Sequence, residues 1–378
     1  MVELQDIVIE YGKEFKEKYK LIPHIHKALR AIENCRTAAL GAHEDICNNA
    51  ECGHIKISYN SCRNRHCPKC QNSSKEKWLY ERKFDVLNVQ YFHVVFTIPE
   101  ELNIIGLQNQ KEIYNILFKS VSETLQELGR DKKYLGAEIG FMTVLHTWGQ
   151  NIMYHPHIHC VVPAGGLDKL GKWRNSKKKF FIPVKVLSRK FRGKFLYYLK
   201  NSNIEFYGQN KELENPQNFD RLMSELYQKE WITYCKPPFK NTNGVIEYLG
   251  RYTHRVAISN NRIVSTDDGK VSFKYKDYKD NSNWKIMTLE AQEFIRRFIL
   301  HILPPGFMKI RYYGLLGNRN KSMKLEICKK LTNTKIVKKI KLPALDILKQ
   351  ILGKDFNLCP ICKKGYLIRP APNINITI

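Results

Sequence analysis

The stretch Tyr-His-Pro-His-Ile-His-Cys, residues 154 to 160, sets three imidazoles at alternate positions: His155, His157 and His159. Strand side chains alternate faces, so all three can share one. Imidazole is a common metal ligand, and a His–bulky apolar–His pair on a strand leaves coordination positions open. Such positions suit a scissile phosphate oxygen, polarised and oriented for attack. Mg2+ or Mn2+ fits that chemistry better than a closed zinc site. The HExxH helix of a zinc protease is absent. Two residues compete to be the third ligand. Gln150, just before the strand, offers a neutral oxygen; His155 lies on the same face but precedes a proline. A nucleophile is offered in VIEYLGRYTHRV, residues 245 to 256, where Tyr248 and Tyr252 are four apart and fall on one face of a helix. A phenol can attack a phosphodiester and hold DNA covalently. Taken alone, two of 20 tyrosines on an amphipathic helix would be packing residues. His254 and His93 read as structural.

A second chemistry is written in cysteine. Between residues 35 and 70 lie Cys35, His43, Cys47, Cys52, His54, Cys62, His66, Cys67 and Cys70. CPKC at 67 to 70 has the tight turn that presents two thiolates to one zinc, and Cys47 and Cys52 form a looser pair. The expected structural site is therefore Cys47, Cys52, Cys67 and Cys70. Cys35, His43, Cys62 and His66 form a candidate second zinc set. So short and polar a segment needs metal to fold. Cys359 and Cys362, in a late CPIC, make only half a site; they are expected to be unpaired unless Cys328 or another ligand completes them. Cys160 and Cys235 read as core residues.

These groups need a scaffold. Residues 1 to 34 and SSKEKWLYERKFDVLN read as helical, with Trp78 packing back on the metal module. YFHVVFTIP (91–99), IGFMTVLHT (139–147) and IMYHPHIHCVVP (152–163) read as strands, although Pro156 must mark a strand start or a bulge. Residues 107–128 read as a helix, RVAISNNRIV and KVSFKY as strands, and LEAQEFIRRFILHIL as a helix. The fold class is α+β: a central antiparallel sheet flanked by helices. The expected domains are a helical and zinc-binding module (1–85), a catalytic domain (86–300) and a basic C-terminal region (301–378).

The balance of 63 Lys and Arg against 36 Asp and Glu, a net charge of +27, would repel itself without a polyanion nearby. Nucleic acid is the first candidate and an anionic membrane the second. Residues 169–194 carry eleven Lys or Arg and no acid. Lys172, Arg174, Lys177, Lys178 and Lys179 are expected to grip phosphates, with Trp173 stacking on bases. Arg63, Arg65 and Lys69 make the zinc module basic, and Arg251 and Arg255 do the same for the tyrosine helix. No stretch is long and apolar enough to span a bilayer, and the N-terminus lacks a signal-type apolar core. The expectation is a cytoplasmic, nucleoid-associated prokaryotic protein. GLDKLGK, near residue 170, approaches a P-loop but is followed by Trp173 rather than Ser or Thr. With no ATPase motor, unwinding falls to a host helicase.

His157-Ile158-His159 followed by Tyr248-Leu-Gly-Arg-Tyr252 resembles the HUH endonucleases. More closely, the chain resembles the two-tyrosine transposases of the insertion sequence 91 family. The matching stretches are SYNSCRNRHCPKCQ (58–71), YFHVVFTIPEEL (91–102), LHTWGQNIMYHPHIHCVVPAGGL (145–167), EYLGRYTHRVAISNNRI (247–263), YKDY (275–278) and EFIRRFILHILPPGFMKIRYYG (293–314). They keep family order and cover most of the chain. The resemblance implies a zinc-binding N-terminal module and a nuclease domain similar to rolling-circle replication initiators. It implies His157 and His159 as metal ligands and Tyr248 and Tyr252 as nucleophiles. It implies partners too: single-stranded DNA at transposon ends, and target DNA. Two rival readings are a plasmid replication initiator or relaxase with the same nuclease core, and a non-catalytic zinc-dependent DNA-binding protein. The second leaves HPHIH and YLGRY as accidents.

Overall fold

A computed structural model describes residues 2–176, 182–236, 242–254, 256–278, 280–337, 340 and 342–370, with backbone alone at 73, 242, 243, 249, 251, 252, 344, 345, 351 and 352. The chain opens with α1 (Leu4–Lys18) and α2 (Pro23–Glu33), followed by strands β1 (Ala42–Cys47) and β2 (Ile55–Tyr59) and helix α3 (Pro68–Lys83). Proline at the first helical position starts α2 and α3, where the missing N–H is no loss. Strand β3 (Tyr91–Thr97), helices α4 (Asn103–Gln108) and α5 (Gln110–Arg130), and strands β4 (Gly140–Trp148) and β5 (Tyr154–Pro163) follow. A short hairpin of β6 (Gly165–Leu167) and β7 (Trp173–Asn175) leads to α6 (Val184–Lys200), α7 (Pro216–Gln228), β8 (Thr233–Lys236) and α8 (Thr242–Tyr252). The remainder is β9 (Ile263–Asp267), β10 (Lys270–Asp277), β11 (Asn283–Glu290), α9 (Ala291–Ile299), β12 (Ile310–Gly314), α10 (Lys321–Leu331), α11 (Ala344–Leu352) and β13 (Leu367–Ile368).

The central sheet has the order β12-β4-β5-β3-β8, with every neighbour antiparallel. It therefore reaches past residue 300, the end of the expected catalytic domain, to take β12 as an edge. Period-two alternation sorts its residues cleanly. Phe92, Val94, Phe96, Phe141, Leu145, Ile158, Cys160 and Val162 point to one face and join the main core with Ile113, Leu117, Val121 and Leu125 of α5 and Phe191 and Phe195 of α6. The opposite face carries Tyr91, Met142, Val144 and Val161, covered by Leu79 of α3 and by Val245 and Tyr248 of α8. That second face also carries the histidines.

Pro156 sits where β4 and β5 slip register. Trp148 pairs with Tyr154 but His146 with His157, so β5 holds one residue more than β4 between the pairs. Pairing with β3 begins only at His157. The proline thus lies in a bulge, ahead of the stretch paired on both sides. RVAISNNRIV is not one strand: a 3-10 turn at Asn260–Arg262 interrupts it, and β9 starts at Ile263. There Arg262 turns inward and donates from Nε to the Lys274 carbonyl. A separate core joins α1 and α2 to β9, β10 and α9, and includes Cys35, Cys67 and Cys70.

Candidate active site and metal centres

His157 and His159 share a face because they are two apart on β5. The third imidazole beside them is His146, which lies directly opposite His157 on β4. The three offer ligand atoms within 4.8 Å of one another. His146 also stacks on Trp148 with ring centroids 4.5 Å apart. His155 is not among the three. The extra residue of the bulge displaces His155. Gln150 lies in the β4–β5 turn, with Nε2 3.3 Å from the Tyr278 hydroxyl and a buried Oε1 that has no hydrogen-bond partner. A turn at 149–153 alone would set residue 146 opposite 156; the extra residue of the bulge brings His157 opposite His146. Inferring His146 needs the hairpin register, not a motif.

The rings are held from behind. Nδ1 of His157 donates to the His155 carbonyl at 2.7 Å, which leaves the Nε2 lone pair to face the cluster. Nδ1 of His159 lies 2.9 Å from Nε2 of His93 and 3.3 Å from the Tyr248 hydroxyl. His93 is buried on the neighbouring strand, and burial lowers its pKa to about 3. It is therefore a neutral partner. Its ring also lies 4.5 Å from that of Tyr248. Tyr248 is only 5% exposed, so α8 delivers its phenol directly against the histidine cluster. Gly250 permits this approach: a Cβ there would stand 2.9 Å from Cδ1 of Leu79 on α3. Tyr252 ends the same helix, but its side chain and that of Arg251 lie outside the described residues, as do Arg255 and Lys177, Lys178 and Lys179.

His254 follows the helix, with Nδ1 3.2 Å from the Thr253 hydroxyl and its ring 5.5 Å from Trp78. Burial lowers its pKa to about 4. Trp78 thus faces the tyrosine helix, not the metal module.

The cysteines group differently from their spacing. Cys35, Cys62, Cys67 and Cys70 converge in one cluster. Sγ–Sγ distances are 3.6 Å for Cys35–Cys70 and Cys62–Cys70, and 3.7 Å for Cys35–Cys67. A regular tetrahedron of thiolates around zinc has an edge of about 3.8 Å, so the spacing fits the ion. Cys67 is the N-cap of α3 and Cys70 lies in its first turn, which ties this cluster to the helix that abuts α8. Cys47 and Cys52 are not in it. The histidines proposed for a second zinc are elsewhere too. Nε2 of His66 accepts from the Leu303 amide at 3.4 Å, and burial lowers its pKa to about 3. His43 lies with Nδ1 3.4 Å from Asn60 Oδ1 and Nε2 3.7 Å from Asp45, and joins neither cysteine cluster.

Several expected DNA contacts are occupied within the protein. Arg65 donates to the Phe307 carbonyl at 2.6 Å, and Lys69 pairs with Glu3 and donates to Gln5 at 2.7 Å. Arg174 pairs with Asp168 at 3.1 Å, and Trp173 is half-buried against Gly165. Arg63 and Lys172 are exposed. No described helix is long and apolar enough to cross a membrane.

Comparison with known proteins gives the family. A family model described as "Transposase zinc-binding domain" matches residues 7–98, and one described as "Putative transposase" matches residues 140–323. The chain is 44% identical over 376 residues to "Putative transposase y4qJ" of Sinorhizobium fredii, covering 97% of this chain and 94% of that protein. It is 28% identical over 289 residues to "Transposase for insertion sequence element IS801" of Pseudomonas savastanoi pv. phaseolicola, covering 75% of this chain and 68% of that one. Among solved structures, metal-bound conjugative relaxase TrwC in complex with oriT DNA is similar at 12% identity with a TM-score of 0.27, over 55% of this chain and 71% of that chain. A zinc-binding domain and a transposase domain matched in order, with close identity along nearly the whole length, place the chain in the insertion sequence 91 family of transposases, DNA-cleaving and strand-transferring enzymes.

Proposed function

We propose that Tyr248 cleaves single-stranded DNA at the ends of its insertion sequence, forming a 5′-phosphotyrosine and freeing a 3′ hydroxyl. The observation that carries this reading is the Tyr248 hydroxyl, 3.3 Å from Nδ1 of His159 within a three-histidine cluster. Mg2+ or Mn2+ held by His146, His157 and His159 would draw charge from the scissile phosphate. Were Nε2 of His159 to ligate that ion, Nδ1 would carry the ring hydrogen, shared between Nε2 of His93 at 2.9 Å and the Tyr248 oxygen at 3.3 Å. A hydrogen bond to the phenolate stabilises the ionised nucleophile. The phenol gives up its proton to solvent, attack forms the Tyr Oη–phosphorus bond and breaks the bond to O3′, and O3′ takes up a proton from solvent, so the step is proton-neutral. The tyrosine link conserves phosphodiester energy, so joining to target DNA needs no ATP. Tyr252, one turn along, supplies a second cleavage while the first strand is held.

A groove of about 550 Å³ beside α8 supports a strand path. Arg36, Lys75, Gly250, His254 and Asn260 are among its lining residues, so it runs between the zinc module and the tyrosine helix. Zinc is structural in this scheme. We assign the protein to the prokaryotic cytoplasm, at the nucleoid, with a host helicase opening the donor duplex. The test is nicking of single-stranded DNA bearing the element's own ends by wild type, Tyr248→Phe, Tyr252→Phe and the double variant, with Mg2+, Mn2+ or EDTA. A metal-dependent covalent adduct on the 5′ side, absent from the double variant, is the expected result. Specific binding without cleavage or adduct would instead make the protein a DNA-binding factor.

A further inference from the structure

Both ends of the chain meet in four thiols. Cys47 ends β1 and Cys52 follows in the next turn; Cys359 and Cys362 belong to the C-terminal Cys-Pro-Ile-Cys. Their four sulfurs lie within 4.8 Å of one another. Cys47 and Cys362, 315 residues apart, have Sγ atoms separated by 3.7 Å, and Cys52 and Cys359, 307 apart, by 3.8 Å. A disulfide would need about 2.05 Å. The observed values instead match the edge of about 3.8 Å of a tetrahedron of thiolates around zinc.

The backbone is shaped around the same point. Cys52 and Gly53 both donate to the Asn49 carbonyl, at 2.9 and 3.1 Å, closing the turn between the first two thiols. On the other side the Gly365 amide donates to Sγ of Cys362 at 3.3 Å, and Cys359 donates to the Gly365 carbonyl at 2.8 Å. Gly365 has no room for a side chain, since a Cβ would lie 2.6 Å from Sγ of Cys47 and 2.9 Å from the Asn49 nitrogen. Strand β13 then pairs with β1, Cys47 opposite Leu367 and Ile46 opposite Ile368.

Little else holds this junction. Ile46, Ile55, Ile57 and Ile368 are all exposed, so the small sheet β13-β1-β2 has no apolar core of its own. Segments this small and this poor in buried surface stay folded through a metal or a disulfide.

We propose that Cys47, Cys52, Cys359 and Cys362 bind a second structural zinc ion that clips the C-terminal segment to the N-terminal module. Two of these ligands lie outside both matched family regions, which end at residues 98 and 323. The clip also has a route to the active site. The C-terminal segment includes α11, which packs on α3, and α3 packs on α8.

The test is a zinc count on the purified full-length protein, folding being checked by circular dichroism. Wild type is expected to hold two zinc ions per chain. The pair Cys359→Ser/Cys362→Ser should hold one, and adding Cys47→Ser/Cys52→Ser should remove no more. One ion in wild type, two in the first variant, or a further loss in the quadruple variant would overturn the proposal. Should the variants not fold, cadmium-113 NMR of metal-exchanged wild type decides. Two resonances in the tetrathiolate region uphold the clip, and one overturns it.

Discussion

His93 lies outside the ligand cluster, yet His93→Phe should change how the enzyme depends on metal. The ring is buried, its Nε2 is 2.9 Å from Nδ1 of His159, and its face contacts Tyr248. Phenylalanine keeps the ring's bulk and that aromatic contact and deletes only the hydrogen bond. The Tyr248 hydroxyl stays 3.3 Å from Nδ1 of His159. Partners that orient a ligating imidazole are worth about 10–100-fold in metal affinity, or about 1.4–2.8 kcal/mol at 1.4 kcal/mol per decade. The assay is nicking rate against Mn2+ concentration with DNA in excess. The half-saturating Mn2+ should rise about 10–100-fold, while the rate at saturating metal returns close to wild type. Thermal stability should change little, because an apolar ring replaces a desolvated polar one. An unchanged half-saturation point would refute an orienting role. A loss that saturating metal does not restore would place His93 in the chemistry itself.

Other outcomes follow from the same geometry. His146→Ala should weaken the metal response by more than the roughly 100-fold limit of an outer partner, whereas Gln150→Ala should leave the Mn2+ titration close to wild type; the reverse result would exchange their roles. Arg65→Ala should cost about 1–3 kcal/mol of stability through the orphaned Phe307 carbonyl, with no change in the salt dependence of DNA binding; a shallower salt slope would return Arg65 to the DNA interface. Burial holds His254 and His301 near pKa 4 in the fold, below the unfolded value of about 6.5. The unfolded chain therefore binds more protons in acid, so this stability is complete above pH about 6.5 and lost as pH falls through about 4. His301→Phe should flatten the fall of melting temperature over that window, and an unaltered slope would contradict the assignment.

What could be read beforehand was what is local. His157, His159 and Tyr248 were legible because strand and helix periods place them on faces without knowledge of the rest of the fold. His146 needed the β4–β5 register, a tertiary fact, and Gln150 drew attention only by being near in sequence. The cysteines misled for a related reason. CPKC and the Cys47–Cys52 pair are neighbours along the chain, but the strands between them send each toward a different partner. Half a site at residues 359–362 looked spare because its complement lies more than 300 positions earlier. Strand β11 was missed because its residues are mostly exposed and carry weak apolar alternation. Charge told of a polyanion but not which cations were available, since Arg65, Lys69 and Arg174 are bound to groups within the protein.

The pairing of β13 with β1 also sets a timetable. Strand β1 emerges from the ribosome about 320 residues ahead of its partner β13. At 5–20 residues per second, the roughly 320 residues between them take about 15–60 s to synthesise. Throughout that interval one edge of β1 is unpaired beside the exposed Ile46, Ile55 and Ile57, a combination that invites pairing with other chains. Nascent transposase is thus most aggregation-prone before β13 arrives, and termination ahead of Leu367 leaves that edge permanently open.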